Sequence, residues 1–394
     1  MKTRHLVLVM ILVLFTSSLP AFAKRGINPT KDWTYLVYLA ADNNLDSAGS
    51  FSLDLMREGM TSDNNVNLIV LLDHYGANAD LLRVTPTGVT QLSEYDEPDM
   101  ANPETLQNFL SWGVDTYPAE HYVVVIWDHG GGWKYIIRDD TSGTRMSIEG
   151  LADAMNSVAV HLKRKFDIVI FDACLMALIE VADQLTLSTD FVVASVHSVP
   201  LEGFPYNLMF QRLINNPSVR SSDYARGIAD DYHTYYEVSS AKSHLSVSAI
   251  DESKLKTLIT AVDDFSIRLI DIMSQHHDDV NSARSNAQHQ SGGGTNGVFW
   301  YVDLHVFCEE IAKRIIDATL NAQANDVIIA QLSAVYERHS HNVDGASYGL
   351  AINFPPNLSR YMDKSYLAQN YQDMNLIFTN ETHWDEMLLE FYKY

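Results

Sequence analysis

The chain has 394 residues, 46% of them apolar, with 27 lysines and arginines against 50 aspartates and glutamates, a formal net charge of −23. That length and apolar content are enough for one large packed core, while the acidic balance disfavours nucleic acid and favours basic partners or divalent cations. With only two cysteines, Cys174 and Cys308, a disulfide framework is excluded.

Met1 to His5 is basic, Leu6 to Phe15 is an unbroken apolar run, and Ala21-Phe22-Ala23 is a small-x-small cleavage signal. This reads as a secretory signal over residues 1–23, with a mature chain from near Lys24 that is secreted or periplasmic. The apolar run is too short for a bilayer core of about 30 Å, and no later segment is long enough, so no membrane association is expected after signal cleavage.

Five short apolar runs without alternation follow: Tyr35 to Ala41, Leu68 to Leu72, Tyr122 to Trp127, Phe166 to Phe171 and Phe191 to Ser195. Such runs predict strands covered on both faces. Between them, Leu45 to Met60, Pro103 to Trp112 and Ile148 to Leu162 predict helices, and Leu175, Leu178, Ile179, Ala182 and Leu185 form an apolar stripe at helical period. The alternation predicts an α/β domain over residues 30–250: a mostly parallel sheet with helices on both faces. Ligands of such sheets bind beyond the carboxyl ends of the strands. Those ends carry Asp42, Asp73, His129, Asp172, Cys174 and His197.

Residues 251–394 read as a mainly helical C-terminal subdomain. Helices are predicted over Ser253 to Gln275 and Asp303 to Ala322, a flexible polar connection over Gln288 to Gly297, and a strand at Gly349 to Phe354, stopped by Pro355-Pro356, that returns to the sheet or beside it. Cys308 falls among Leu304, Phe307, Ile311 and Ile315 and reads as a buried structural thiol.

VVVIWDHGGGW ends one predicted strand and FDIVIFDACLM contains another, and Cys174 follows His129 by 45 residues. A histidine about 50 residues ahead of the cysteine is the caspase-type order. Cys174, at a strand-to-helix junction, would have its thiol pKa lowered by the positive helix terminus. His129 can act as acid and base, and the amides of Gly130 and Cys174 can supply oxyanion donors. Asp128 neighbours His129, but successive strand side chains face opposite ways, which argues against a triad role.

WTYLVYLAADNNLD, VVVIWDHGGGW, FDACLMALIEVADQL, ASVHSVPLEGFPY, YVDLHVF and THWDEMLLEFY resemble, in this order from Trp33 to Tyr392, the clostripain family of secreted cysteine peptidases with a caspase-like fold. The resemblance implies a His129/Cys174 dyad and hydrolysis of protein or peptide substrates after arginine or lysine, with Asp172 in the specificity pocket. The competing role for Asp172 is a helix-capping carboxylate. The resemblance also implies self-cleavage after a basic residue between histidine and cysteine, at Arg145 or, second, Arg138. It implies no cofactor for the chemistry but calcium as an activator; the sequence has no EF-hand pattern, and the ligands stay unassigned. One departure is Val196-His197-Ser198-Val199-Pro200, where the family carries acidic residues before the proline; Glu202 survives beyond it.

Two other functions compete. A serine esterase could use His129-Gly130-Gly131-Gly132 as an oxyanion motif and Gly345-Ala346-Ser347-Tyr348-Gly349 as a nucleophile elbow, but Ser347 precedes a strand rather than a helix. A non-catalytic binding protein on the same scaffold is the alternative, although such a protein would be expected to lose His129 or Cys174. His276-His277-Asp278-Asp279 and His339-Ser340-His341 lack the helical i, i+4 histidine pair of a zinc peptidase.

Overall fold

The computed structural model describes residues 28–238, 245–287, 300–341, 347–364 and 369–394. The secretory signal and the polar connection at 288–297 lie outside the described residues. In chain order come β1 (Lys31–Ala41), α1 (Asp46–Gly59), β2 (Val66–His74), β3 (Ala79–Thr85), β4 (Gly88–Tyr95), α2 (Pro103–Thr116) and β5 (Ala119–Trp127). Next are β6 (Ile136–Asp139), β7 (Thr144–Met146), α3 (Ile148–Leu162), β8 (Phe166–Asp172), α4 (Ile179–Leu185), β9 (Thr189–Ala194), α5 (Tyr206–Asn215), α6 (Ser221–Glu237) and β10 (Leu245–Asp251). The chain continues through α7 (Leu255–Ala287), β11 (Tyr301–Asp303), α8 (Leu304–Arg314), α9 (Ala318–Ala334), β12 (Val335–His341) and β13 (Ala351–Asn353), then α10 (Leu358–Tyr361), α11 (Ile377–Glu381) and α12 (Trp384–Phe391).

Nine strands form one sheet in the order β12-β10-β9-β8-β5-β1-β2-β3-β4. The inner five, β9 to β2, are parallel, and they are the five strands legible as apolar runs. Each edge is completed by two antiparallel strands. Side chains along β1 alternate between two buried layers: Tyr35, Val37 and Leu39 meet α1, α5 and α6, whereas Leu36, Tyr38 and Ala40 meet α2 and α3. Helix ends follow local chemistry. Asn102 caps α2 by accepting from the Glu104 N–H with Pro103 just inside, and Ser147 caps α3 by accepting from the Gly150 N–H.

The C-terminal helices α7, α8, α9 and α12 share one continuous buried apolar layer with α2, α3 and α4. The single helix predicted over Asp303 to Ala322 is two helices, α8 and α9, because Asp317 accepts from the Leu320 N–H at 2.7 Å and starts a new one. The predicted strand of Gly349 to Phe354 pairs with β11 beside the main sheet, while β12 is the strand that joins the main sheet's edge. Fully buried Trp384 fastens α12: its ring lies edge-on to Phe307 and Phe354, and its indole N–H donates to the Asn353 carbonyl at 2.9 Å. Trp384→Ala should cost about 3–5 kcal/mol of unfolding free energy in urea titration, the scale of a large buried aromatic. A loss below about 1 kcal/mol would contradict a shared core.

Candidate active site

β1 pairs with β2 on one side and with β5 on the other, so the strand order reverses between β1 and β5. A cleft opens there beyond the carboxyl ends, as expected of such a switch point. Its cavity volume is about 200 Å³, and it is lined by Asn44, Leu45, Ala48, Trp127, Asp128, His129, Asp172, Ala173, Cys174, Val199, Pro200, Leu201 and Gly203. Three of the four residues singled out for the chemistry, His129, Asp172 and Cys174, therefore line this one cleft.

Gly130 explains how the histidine and cysteine segments come so close. A Cβ there would lie 2.3 Å from the Cys174 carbonyl oxygen and 2.8 Å from the Met176 sulfur, so only glycine fits. Beyond it, Gly132 has φ +60° and packs on the Tyr301 hydroxyl, which donates to the Gly131 carbonyl at 2.7 Å. Among the described residues, the backbone N–H groups of Gly130 and Cys174 have no protein acceptor.

His129 is held through its Nε2, which meets Asn44 Oδ1 at 3.0 Å; as that amide is oriented, Nε2 carries the proton and Nδ1 keeps its lone pair. Burial, reinforced by Arg138, pushes the imidazole pKa down to about 4, so the ring is neutral at pH 7. Asp128 is a structural acceptor. It takes hydrogen bonds from the backbone N–H groups of His129 and Arg138 and from the Asn43 side chain, so its oxygens are committed to holding the backbone.

The expected helix terminus at Cys174 is absent. α4 starts only at Ile179, and Leu175, with φ +69°, turns the chain into an extended segment. Its Leu175 and Ala177 N–H groups donate to the carbonyls of His197 and Ser195. The apolar stripe matched a helical period, but Leu175 and Leu178 are buried by this extended segment instead. The thiol accordingly gains nothing from a helix dipole. Burial pushes its pKa up, against the downward pull of the Val199 N–H, which donates to Sγ at 3.4 Å. Left-handed Ile137, φ +66°, lies across the site and donates its N–H to the His129 carbonyl. Such angles at two branched or bulky residues mark local strain beside the reactive pair.

Asp172 caps no helix. Its Oδ2 accepts from the Phe204 N–H at 3.1 Å and the Tyr206 hydroxyl at 2.8 Å, and Gly203, with φ +67°, lets the loop close over it. Burial raises its pKa to about 6, leaving it mostly ionised at neutral pH. In the departing loop, His197 turns away to bond Ser246 Oγ at 2.9 Å, and Val199, Pro200 and Leu201 give the cleft an apolar rim. Arg138 pairs with Asp140, whereas Arg145 is exposed on β7 with its guanidinium 5.6 Å from the Tyr135 ring centre. Ser347 is buried, accepts from the Gly349 N–H and leads into β13, so no nucleophile elbow forms. Cys308 is fully buried in α8, as its sequence predicts. Asp42 and Asp73, which the sequence places at strand ends, are joined by Glu97, unmarked in the sequence, in a group of three carboxylates on the other side of β1.

The Peptidase_C11 model, described as the clostripain family, matches residues 37–391. Clostripain of Hathewaya histolytica is 29% identical over 234 residues, 48% of this chain and 44% of that protein, so the match spans less than half the length of that relative. A solved secreted C11 cysteine protease from Bacteroides thetaiotaomicron, in complex with an irreversible peptide inhibitor, is 26% identical with a TM-score of 0.66, over 90% of this chain and 100% of that one. An inactive zymogen C11 protease from Parabacteroides distasonis shares the fold at 23% identity and a TM-score of 0.66, covering 91% and 99%. Nearly the whole sequence and the fold thus agree: the chain belongs to the clostripain family, whose solved members include these cysteine proteases.

Proposed function

We propose that this chain is a secreted cysteine endopeptidase that cleaves after arginine or lysine and is made as a precursor. The observation that carries the reading is the convergence of Cys174, His129 and the buried carboxylate of Asp172 on one cleft. Cys174 Sγ attacks the scissile carbonyl carbon and its proton passes to neutral His129. The Gly130 and Cys174 N–H groups receive the oxyanion, and the imidazolium protonates the departing amine. Water, deprotonated by His129, then releases the acyl group from sulfur.

Both hydrogen bonds to Asp172 fall on Oδ2, and Oδ1 remains for a guanidinium or ammonium entering the cleft. The aliphatic stem of such a side chain would lie along Trp127, Val199 and Leu201. With an apolar rim in place of the family's acidic one, Asp172 supplies the charge that reads the substrate.

The half-buried thiol, its pKa raised by burial, fits a resting precursor. Processing after Arg145 is favoured over Arg138, because Arg145 is exposed while the backbone of Arg138 is bonded to Asp128 beside the dyad. Secretion rests on the segment ending at Ala23, and N-terminal sequencing of the exported protein should begin near Lys24.

Iodoacetamide at pH 7.5 should modify Cys174 at least roughly tenfold more slowly in the folded precursor than in urea, because a raised thiol pKa lowers the thiolate fraction. Equal rates, read by peptide mass mapping, would contradict a raised thiol pKa. A peptide library varied at the residue before the scissile bond should be cut after arginine and lysine, and Cys174→Ala should abolish cutting. Arg145→Ala should keep the chain unprocessed on gels. No cleavage by either protein, even after tryptic nicking, favours the binding-protein reading.

The pH dependence has a definite sign. Asp172 is protonated below about pH 6, so kcat/KM for an arginyl substrate should fall there by up to tenfold per pH unit. In Asp172→Asn that limb should vanish along with the basic preference; a persisting limb would assign it to another group.

A further inference from the structure

Asp73, near the end of β2, is fully buried, and neither carboxylate oxygen has a hydrogen-bond partner among the described residues. Native proteins rarely leave such a group unmatched, which points to something that the protein atoms alone do not supply. Glu97, in the loop after β4, likewise has an unmatched buried Oε1 and takes the unusual φ of +24°. Asp42, just beyond β1, is buried and fixed in place. Its Oδ1 accepts from the Gly76 N–H and the Thr141 hydroxyl, and its Oδ2 from the Thr141 N–H.

One carboxylate oxygen from each of these three residues lies within 4.8 Å of the others. Two oxygens bound to one calcium ion at about 2.4 Å can be at most about 4.8 Å apart, so the spread matches a single shared ion. Four carboxylates act on Asp73, those of Asp139, Glu97, Asp42 and Asp99. Asp139 and Asp99 are already committed. Asp139 accepts from the Met100 and Ser142 N–H groups, and Asp99 from the Ala101 N–H and the Thr144 hydroxyl. Zinc would want nitrogen or sulfur, which these three residues lack. Magnesium sheds its water reluctantly, whereas buried, irregular all-oxygen sites suit calcium.

We propose that Asp42, Asp73 and Glu97 bind one calcium ion between the ends of β1 and β2 and the loop after β4, and that this ion positions the catalytic histidine. The coupling route is short. Asn43 and Asn44 follow Asp42 directly; Asn43 donates to Asp128 Oδ1 at 2.8 Å and to the Arg138 carbonyl at 2.9 Å, and Asn44 holds His129 Nε2. An ion that fixes Asp42 therefore fixes the residues that orient the imidazole. These are positioning residues, and this second half rests on the peptidase reading above, while the ion site does not.

The binding test uses the full chain as Cys174→Ala, stripped of metal, at physiological salt with excess magnesium. Calcium calorimetry should find one saturable site, and calcium should raise the melting temperature where magnesium does not. Asp73→Asn and Glu97→Gln should each weaken that site by roughly tenfold or more, since carboxylate count sets calcium affinity, while Asp278→Asn, fully exposed on α7, should leave it unchanged. Absence of the site, or wild-type affinity in both variants, overturns the proposal and leaves Asp73 a protonated core acid. Glu97→Gln decides if Asp73→Asn fails to fold. In the chain retaining Cys174, labelling by an arginyl chloromethyl ketone should be faster with calcium, and Asp73→Asn should remove the difference. Calcium-independent labelling overturns the coupling to His129. Failure to label at all, with binding intact, overturns the peptidase reading and leaves the ion site standing.

Discussion

The site depends on one buried carboxylate, Asp128, and on the absence of a side chain two residues later. Asp128 gathers the backbone N–H groups of His129 and Arg138 and the Asn43 amide, so the ends of β1 and β5 and the β6 strand meet at a single acceptor. Hydrogen bonds to a charged group contribute roughly 1.5–3 kcal/mol each, and leaving such a buried charge unmatched costs more than any one of them adds. Burial pushes the Asp128 pKa well up, and the three donors work against that rise. Bare Gly130 then lets the histidine segment lie against the Cys174 carbonyl. The closeness of the His129 and Cys174 segments is thus a consequence of backbone packing, fixed before any ligand arrives.

The loop after β9 sets the surroundings of Cys174 and Asp172. It contributes the Val199 N–H to the thiol, the Phe204 N–H and Tyr206 hydroxyl to Asp172, and the apolar rim of the cleft. The same segment thus contacts both the Cys174 sulfur and the Asp172 carboxylate, so a group that pairs with Asp172 would act on the element that also bonds Cys174. Left-handed Leu175 and Ile137 flank this arrangement, at the two points where the reactive segments leave their regular geometry.

What was legible in the sequence follows from physical environment. The five parallel strands stand out because both their faces are dry, leaving continuous apolar runs. β4 and β12 lie at the sheet edges, and their GVTQLSEY and VYERHSH sequences carry the polar residues that edges tolerate, so no such run marks them. His129, Asp172 and Cys174 were visible because each sits at the end of a dry strand. The Cys174 junction misled: Leu175 to Leu185 has a helical period, yet tertiary hydrogen bonds from Leu175 and Ala177 hold the first turn extended. Asp42, Asp73 and Glu97 are far apart in sequence, and only the parallel pairing of β1 with β2 brings the first two side by side. Strand-end position marks Asp42 and Asp73 singly, but no local pattern could have announced Glu97 or the grouping.

The central claim is that Cys174 is the nucleophile and Asp172 reads a basic side chain from one cleft. A crystal structure of the processed chain inactivated by a peptidyl-arginyl chloromethyl ketone tests it most directly. The account predicts a thioether at Cys174 Sγ, the guanidinium on the Asp172 carboxylate, and the inhibitor's carbonyl-derived oxygen facing the Gly130 and Cys174 N–H groups. An adduct on another residue, or a guanidinium bound away from Asp172, would contradict it.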